Sequence, residues 1–179
     1  MATAITSVSR LTPGTTVLVV NGTELTGTPS LEYSDTEDFT TGTTLSGTSL
    51  LSSSTATQYL ISVPEITEEQ ARKHWQVTIN SQTRTIPSPL YKLEWKNDCR
   101  TTLVTDWYGE GDSIIVPDDL SAPKGYVFDG WETDVPSTMD DCDLEMVMKC
   151  HRFTQADLTE AETQDLFDLE DLAPCYNNI

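Results

Sequence analysis

The sequence predicts a mainly β protein: a Thr-rich β domain over residues 1–89, a second β module over 90–153 and a short acidic helix over 154–179. Three observations carry this. Residues 1–60 hold 25 Ser and Thr among short apolar runs, and Thr, branched at Cβ, suits a pleated, half-exposed strand better than a helix. Further on, apolar residues recur with period two, as in Trp75-Gln-Val-Thr-Ile79 and Tyr91-Lys-Leu-Glu-Trp95. Beyond Phe153 the spacing becomes helical.

Taken in order, Thr16-Val-Leu-Val-Val20 and Thr23-Glu-Leu25 flank Asn21-Gly22, a dipeptide that tolerates the positive φ of a type I′ turn, and predict a β-hairpin. The stretch Thr40–Ser54 is low in complexity. It fits either a flexible Gly/Ser linker or a short ordered segment packed through Leu45, Leu50 and Leu51. Tyr59–Val63 reads as a strand ended by Pro64. Thr67 and Gln70 have the spacing of a capping box at the start of a short helical turn. Asn80-Ser81 turns the Trp75–Ile79 strand into Thr83–Ile86. Pro87-Ser-Pro89 then makes a stiff break that cannot sit inside a sheet, and the domain boundary is placed there.

Residues 91–153 carry three of the four tryptophans, with 14 acidic and six basic side chains. Tyr91–Trp95 and Thr101–Tyr108 read as strands around an Asn97-Asp98 turn. Gly109–Asp112 makes a loop, Ser113–Val116 a short strand ended by Pro117, and Tyr126–Phe128 and Leu144–Met148 two more strands. Asp129-Gly130 is expected to bend the chain so that Trp131 folds back over the face carrying Tyr126 and Phe128. Trp95, Trp107, Tyr126, Phe128, Gly130 and Trp131 are the expected structural core of this module.

Trp107-Tyr-Gly109, Ile114, Pro117, Pro123 and Gly125-Tyr-Val-Phe-Asp-Gly-Trp131 together resemble the InlB B-repeat, also called the Listeria–Bacteroides repeat. The resemblance covers residues 91–150 and is most specific at Gly125–Trp131. It departs from the family pattern at Glu132, where Tyr is usual, and the chain has no second copy of the motif. The resemblance implies a β-grasp-like module without catalytic residues. Such repeats serve as spacers or contact modules on bacterial surface proteins, and similar single modules occur in phage virion proteins.

In the third region Thr154 can cap a helix over Ala156–Leu172, with Asp157 favourably placed at its N-terminus. Leu158, Ala161, Leu169, Leu172 and Ala173 fall on one face, with Leu166 at its edge, and Phe167 points the other way. Seven acidic residues and no basic one lie beyond Phe153. Leu158, Leu166, Phe167, Leu169 and Leu172 are the candidate partner contacts.

Charge narrows the function classes. With 29 acidic against 10 basic residues the net charge is −19, which repels nucleic acid and anionic membrane surfaces. The N-terminus lacks the basic and apolar regions of a secretory signal, and no apolar run approaches a membrane span. Four cysteines without CxxC spacing read as free, partly buried thiols. Catalysis is not expected. Cys150 and His151 are consecutive on a strand and point to opposite faces, a dyad through Cys99 or Cys142 has no motif behind it, and His74 stands beside Trp75 at a strand entrance. Gly109-Glu-Gly111 lacks the third glycine and the helix of a phosphate loop. No metal is expected either: Asp134, Asp140, Asp141, Asp143 and Glu145 fit no EF-hand, and Cys142, Cys150 and His151 lack a fourth zinc ligand. No cofactor is implied.

The expected function is therefore that of a non-catalytic structural or interaction protein. A phage virion component fits best (capsid decoration, head fibre or tail accessory protein), made in a host cytoplasm and kept in the virion. Its partners would be capsid or other virion proteins, or further copies of itself. The alternative is a cellular surface-binding or adhesion module. Residues 1–89, whose net charge is small for their length with eight acidic against four basic side chains, are the better candidate for the assembly anchor.

Overall fold

The computed structural model describes residues 3–154 and residue 157. It is mainly β, and it divides into two compact units between Tyr91 and Lys92.

The first unit holds two four-stranded sheets. One has the order β1 (Ala4–Val8), β2 (Val17–Thr23), β6 (Gln58–Ser62), β5 (Ser49–Leu50). The other has the order β4 (Thr43–Thr44), β3 (Ser30–Ser34), β7 (His74–Ile79), β8 (Gln82–Ile86). All their pairings are antiparallel. Burial alternates along β2, β6 and β7, as it must where each sheet turns one face inward. Leu18, Val20, Tyr59 and Ile61 line the first sheet's inner face, and Leu31, Trp75, Val77, Ile79 and Ile86 that of the second. Leu11, Leu25, Leu45 and Ile66 from the connections complete the core.

Several local expectations hold. Thr67 caps α1 (Glu68–Ala71) with both reciprocal bonds to Gln70 of a capping box. Asn80 and Ser81, at φ +47° and +64°, form the two-residue turn between β7 and β8. The Thr40–Ser54 stretch is ordered, with two short strands and a buried Leu45.

The predicted hairpin at Asn21-Gly22 does not form. β2 runs straight through the dipeptide, pairs with β1 on one side and β6 on the other, and turns only after Thr23, at Glu24 with φ +48°. Gly22 is needed for proximity rather than for positive φ. A Cβ there would lie 2.2 Å from the Ala4 carbonyl oxygen and 2.7 Å from Leu25 Cδ2. Gly22→Ala must push β1 away or distort β2, and should cost about 1–3 kcal/mol, as overpacking does. Urea unfolding checks this; an unchanged midpoint would mean that β1 yields freely.

The second unit has one sheet, in the order β10 (Thr102–Gly109), β9 (Leu90–Lys96), β12 (Leu144–Arg152), β11 (Tyr126–Trp131). β9 and β12 run parallel in the middle, with Leu93 opposite Leu144 and Trp95 opposite Met146, and β11 pairs antiparallel with β12. Its first and last strands thus lie side by side and parallel at the centre, a β-grasp-like arrangement. Register assigns the two faces. Leu93, Trp95, Leu144, Met146 and Met148 share one, whereas Glu94, Lys96, Glu145 and Lys149 share the other. On the polar face Lys96 bridges Glu94 and Glu145, which would otherwise meet as like charges. These contacts hold the Glu94 carboxyl below its usual range, the hydrogen bond from Lys96 chief among them.

Two expectations fail here. Ser113–Val116 is not a strand: Ser113 makes a single bridge to Thr138, and Ile115 is 72 % exposed. The run has only the short segment 137–139 to bond with, and Pro117 supplies no N–H to continue. Asp129-Gly130 does not end a strand. It is a bulge inside β11, where the register with β12 slips between Phe128 and Gly130 and Gly130 sits at φ +119°. The slip has a packing consequence. Phe128 and Trp131, three residues apart, would face opposite sides of a regular strand. The extra residue sets Trp131 opposite Met148, on the apolar face.

Candidate functional site

The aromatic cluster follows from that bulge. The Trp131 ring centroid lies 5.0 Å from Trp95 and 5.4 Å from Phe128, tilted against the first and edge-on to the second. Of the six expected core residues, Trp95 is fully buried, while Trp107, Tyr126, Gly130 and Trp131 are half-buried. Phe128 is 44 % exposed and does not belong to the core. It stands on β11, at the end of the sheet, where no further described strand covers it. The remaining apolar volume is filled by Leu93, Met139, Met146 and Met148, while Val147 is buried on the opposite face of the sheet. Three buried methionines in one small unit were not anticipated; their flexible thioethers fit irregular gaps around bulky indoles.

Cys150 and His151 do lie on opposite faces, as consecutive strand residues must. Cys150 is opposite Phe128 on the apolar face, where burial, followed by the charges of Asp98 and Asp129, pushes its thiol up. A thiol so placed is a weak nucleophile at neutral pH. His151 is on the polar face. Its Nδ1 lies 2.8 and 2.9 Å from the two carboxylate oxygens of Asp129, and its Nε2 lies 3.1 Å from Asp157 Oδ1. Hydrogen bonds to Asp129 first and Asp157 second raise its pKa above the ordinary histidine value. When protonated, the ring donates from both nitrogens to the two carboxylates and has no lone pair with which to act as a base.

Asp157 is itself held by Thr154, whose backbone N–H and Oγ1 hydroxyl both donate to Oδ2, at 2.7 and 2.6 Å. Those two bonds, ahead of the one from His151, lower the Asp157 carboxyl. This is half of a capping box, with Thr154 at the cap and Asp157 three residues on. The rest of the predicted helix lies outside the described residues, and with it the candidate contacts Leu158, Leu166, Phe167, Leu169 and Leu172.

The thiol expectation needs one correction. Cys99 is disulfide-bonded, whereas Cys142 and Cys150 are free. A disulfide requires two cysteines with Cα atoms within about 4.4–6.8 Å and side chains directed at each other, a proximity that spacing along the chain does not reveal. The acidic stretch is used structurally in part: Asp143 Oδ1 accepts the Lys92 backbone N–H at 2.8 Å, and Glu145 pairs with Lys96. Among the described residues no group of three or more His, Cys, Asp or Glu is arranged to hold a metal ion. Nor is any described helix long and apolar enough to cross a membrane.

The exposed large apolar residues are unevenly placed. Val17 and Leu50 are in the first unit, while Leu103, Ile115, Val116 and Phe128 are in the second. In the first unit one end strand of each sheet is short, β4 and β5 being two residues each, and the other, β1 or β8, has five. In the second unit the end strands β10 and β11 run for eight and six residues, and no described strand pairs with their outer sides. No protein-family model matches the chain, and no curated protein matches it.

Proposed function

We propose that the protein is a non-catalytic structural or interaction component of a phage virion: a capsid decoration, head-fibre or tail accessory protein. The observation that carries this reading is the second unit's surface. Long open strand edges are features that soluble monomers tend to suppress and that interaction modules keep, and the unit that has them also exposes four large apolar side chains. The resemblance of residues 91–150 to a contact module supports the same reading.

This surface favours the second unit, rather than residues 1–89, as the side that meets a neighbour. An extended segment added to β10 would complete its ladder through main-chain hydrogen bonds. The partner's rim should be basic, to complement 14 acidic residues over 91–153.

Density-gradient purification of particles from the source lysate, with immunogold labelling of negatively stained fractions, tests the reading. The chain should co-band with particles and label them at regular positions. A chain that stays at the top of the gradient as a monomer and binds a glycan or a cell-surface receptor would overturn the proposal in favour of the adhesion module.

A further inference from the structure

We propose that His151, gripped between Asp129 and Asp157, is a pH-operated latch that fastens the chain leaving β12 to strand β11. The geometry is a bridge of three charged groups from three places. Asp129 is the additional residue at the β11 bulge, His151 stands near the end of β12, and Asp157 follows the strand. Two further bonds set the approach. Phe153 N–H donates to the Gly125 carbonyl at 2.8 Å, and Thr154 N–H and Oγ1 orient the Asp157 carboxylate.

The latch depends on protonation because of how imidazole donates. The cation has two N–H groups and can serve both carboxylates at once; the neutral ring has one, so one carboxylate must lose its donor and face a lone pair instead. Among the described residues of β12 the other charged neighbours in sequence are Lys149, which shares the His151 face, and Arg152, the next residue. Neither stands among the groups that set the His151 charge, which are the two carboxylates.

The sign follows. The pKa of His151 in the folded chain lies above its unfolded value of about 6.5. The latch is therefore fully closed below that unfolded value, and it opens as pH rises through the raised, folded one. Asp157 is held below its usual range, so its own titration falls below the window in which the latch opens.

NMR titration of the intact chain from pH 5 to 9 tests this. The His151 ring should titrate at a higher pH than it does in Asp129→Asn or Asp157→Asn, and the Thr154 amide resonance should move with the same midpoint. In His151→Gln, which donates from one amide group and does not titrate, that movement of Thr154 should disappear. A Thr154 resonance indifferent to pH between 6 and 9, or one that moves equally in His151→Gln, would overturn the latch. So would a His151 midpoint unmoved by both aspartate substitutions, and that last outcome remains readable if Thr154 broadens beyond detection.

Discussion

Replacing Trp75 by alanine should destabilise the first unit by about 3–5 kcal/mol, the range for truncating a large buried aromatic. Trp75 is fully buried at the second residue of β7, and its ring lies 4.9 Å from that of Tyr33 on the neighbouring β3. Its Nε1–H donates to the Gln70 carbonyl at 2.7 Å and so ties the end of α1 to the sheet. That carbonyl keeps other donors when the indole is gone, since the backbone N–H groups of Arg72 and Lys73 also reach it. The loss is therefore mainly one of packing and cavity rather than of an orphaned polar group. Trp75→Phe separates the two: it keeps most of the ring volume and forfeits the hydrogen bond, worth about 1 kcal/mol. Urea unfolding followed by circular dichroism gives the ranking, with alanine far below phenylalanine. An alanine variant that unfolds with the parent would mean that Trp75 does not anchor this core.

Two of the Asn-containing turn signals show where sequence reasoning succeeds and where tertiary structure overrides it. Asn80-Ser81 lacks glycine yet makes the tight turn, because β7 and β8 leave those two residues nothing else to do. Asn21-Gly22 is the stronger turn dipeptide and lies inside a strand. The approach of Ala4, whose carbonyl oxygen occupies the space of a missing Cβ, comes from a strand 18 residues away in sequence, and local spacing carries no trace of it. The capping box at Thr67 was legible because both its partners lie within one turn of helix. The alternating β7 and β9 were legible because burial of one face imposes period two.

The candidate site was legible only in fragments. Trp95 and Trp131 were recognisable as anchors from their size and setting. That they touch depends on a one-residue slip in β11, and Asp129-Gly130 signals a kink without saying that the strand continues past it. The same slip explains why Phe128 joins the aromatic cluster while remaining exposed. The grip on His151 had no sequence signal at all: its two carboxylates lie 22 residues before it and six after it, and only the pairing of β11 with β12 brings the first within reach.

Trp95→Ala should be the most damaging single change in the second unit, again by about 3–5 kcal/mol. Trp95 is fully buried at the centre of the sheet, opposite Met146 on the parallel β12 and against the Trp131 ring. Its Nε1–H also donates to Asp106 Oδ2 on β10 at 3.0 Å, so truncation removes a donor from a half-buried carboxylate as well as opening a cavity. Trp131 resembles Trp95 in sequence terms but sits at the sheet's end strand and is half-buried, so Trp131→Ala removes less buried area and leaves a site that water can refill. Phe128, still more exposed, should matter least to stability and most to any partner that covers β11. The expected order of destabilisation is therefore Trp95→Ala, then Trp131→Ala, then Phe128→Ala, read from urea midpoints of the three variants. If Trp131→Ala proved as costly as Trp95→Ala, the end strand would have to be covered by something other than solvent. The ordering thus doubles as a probe of whether the apolar face beside β11 is free.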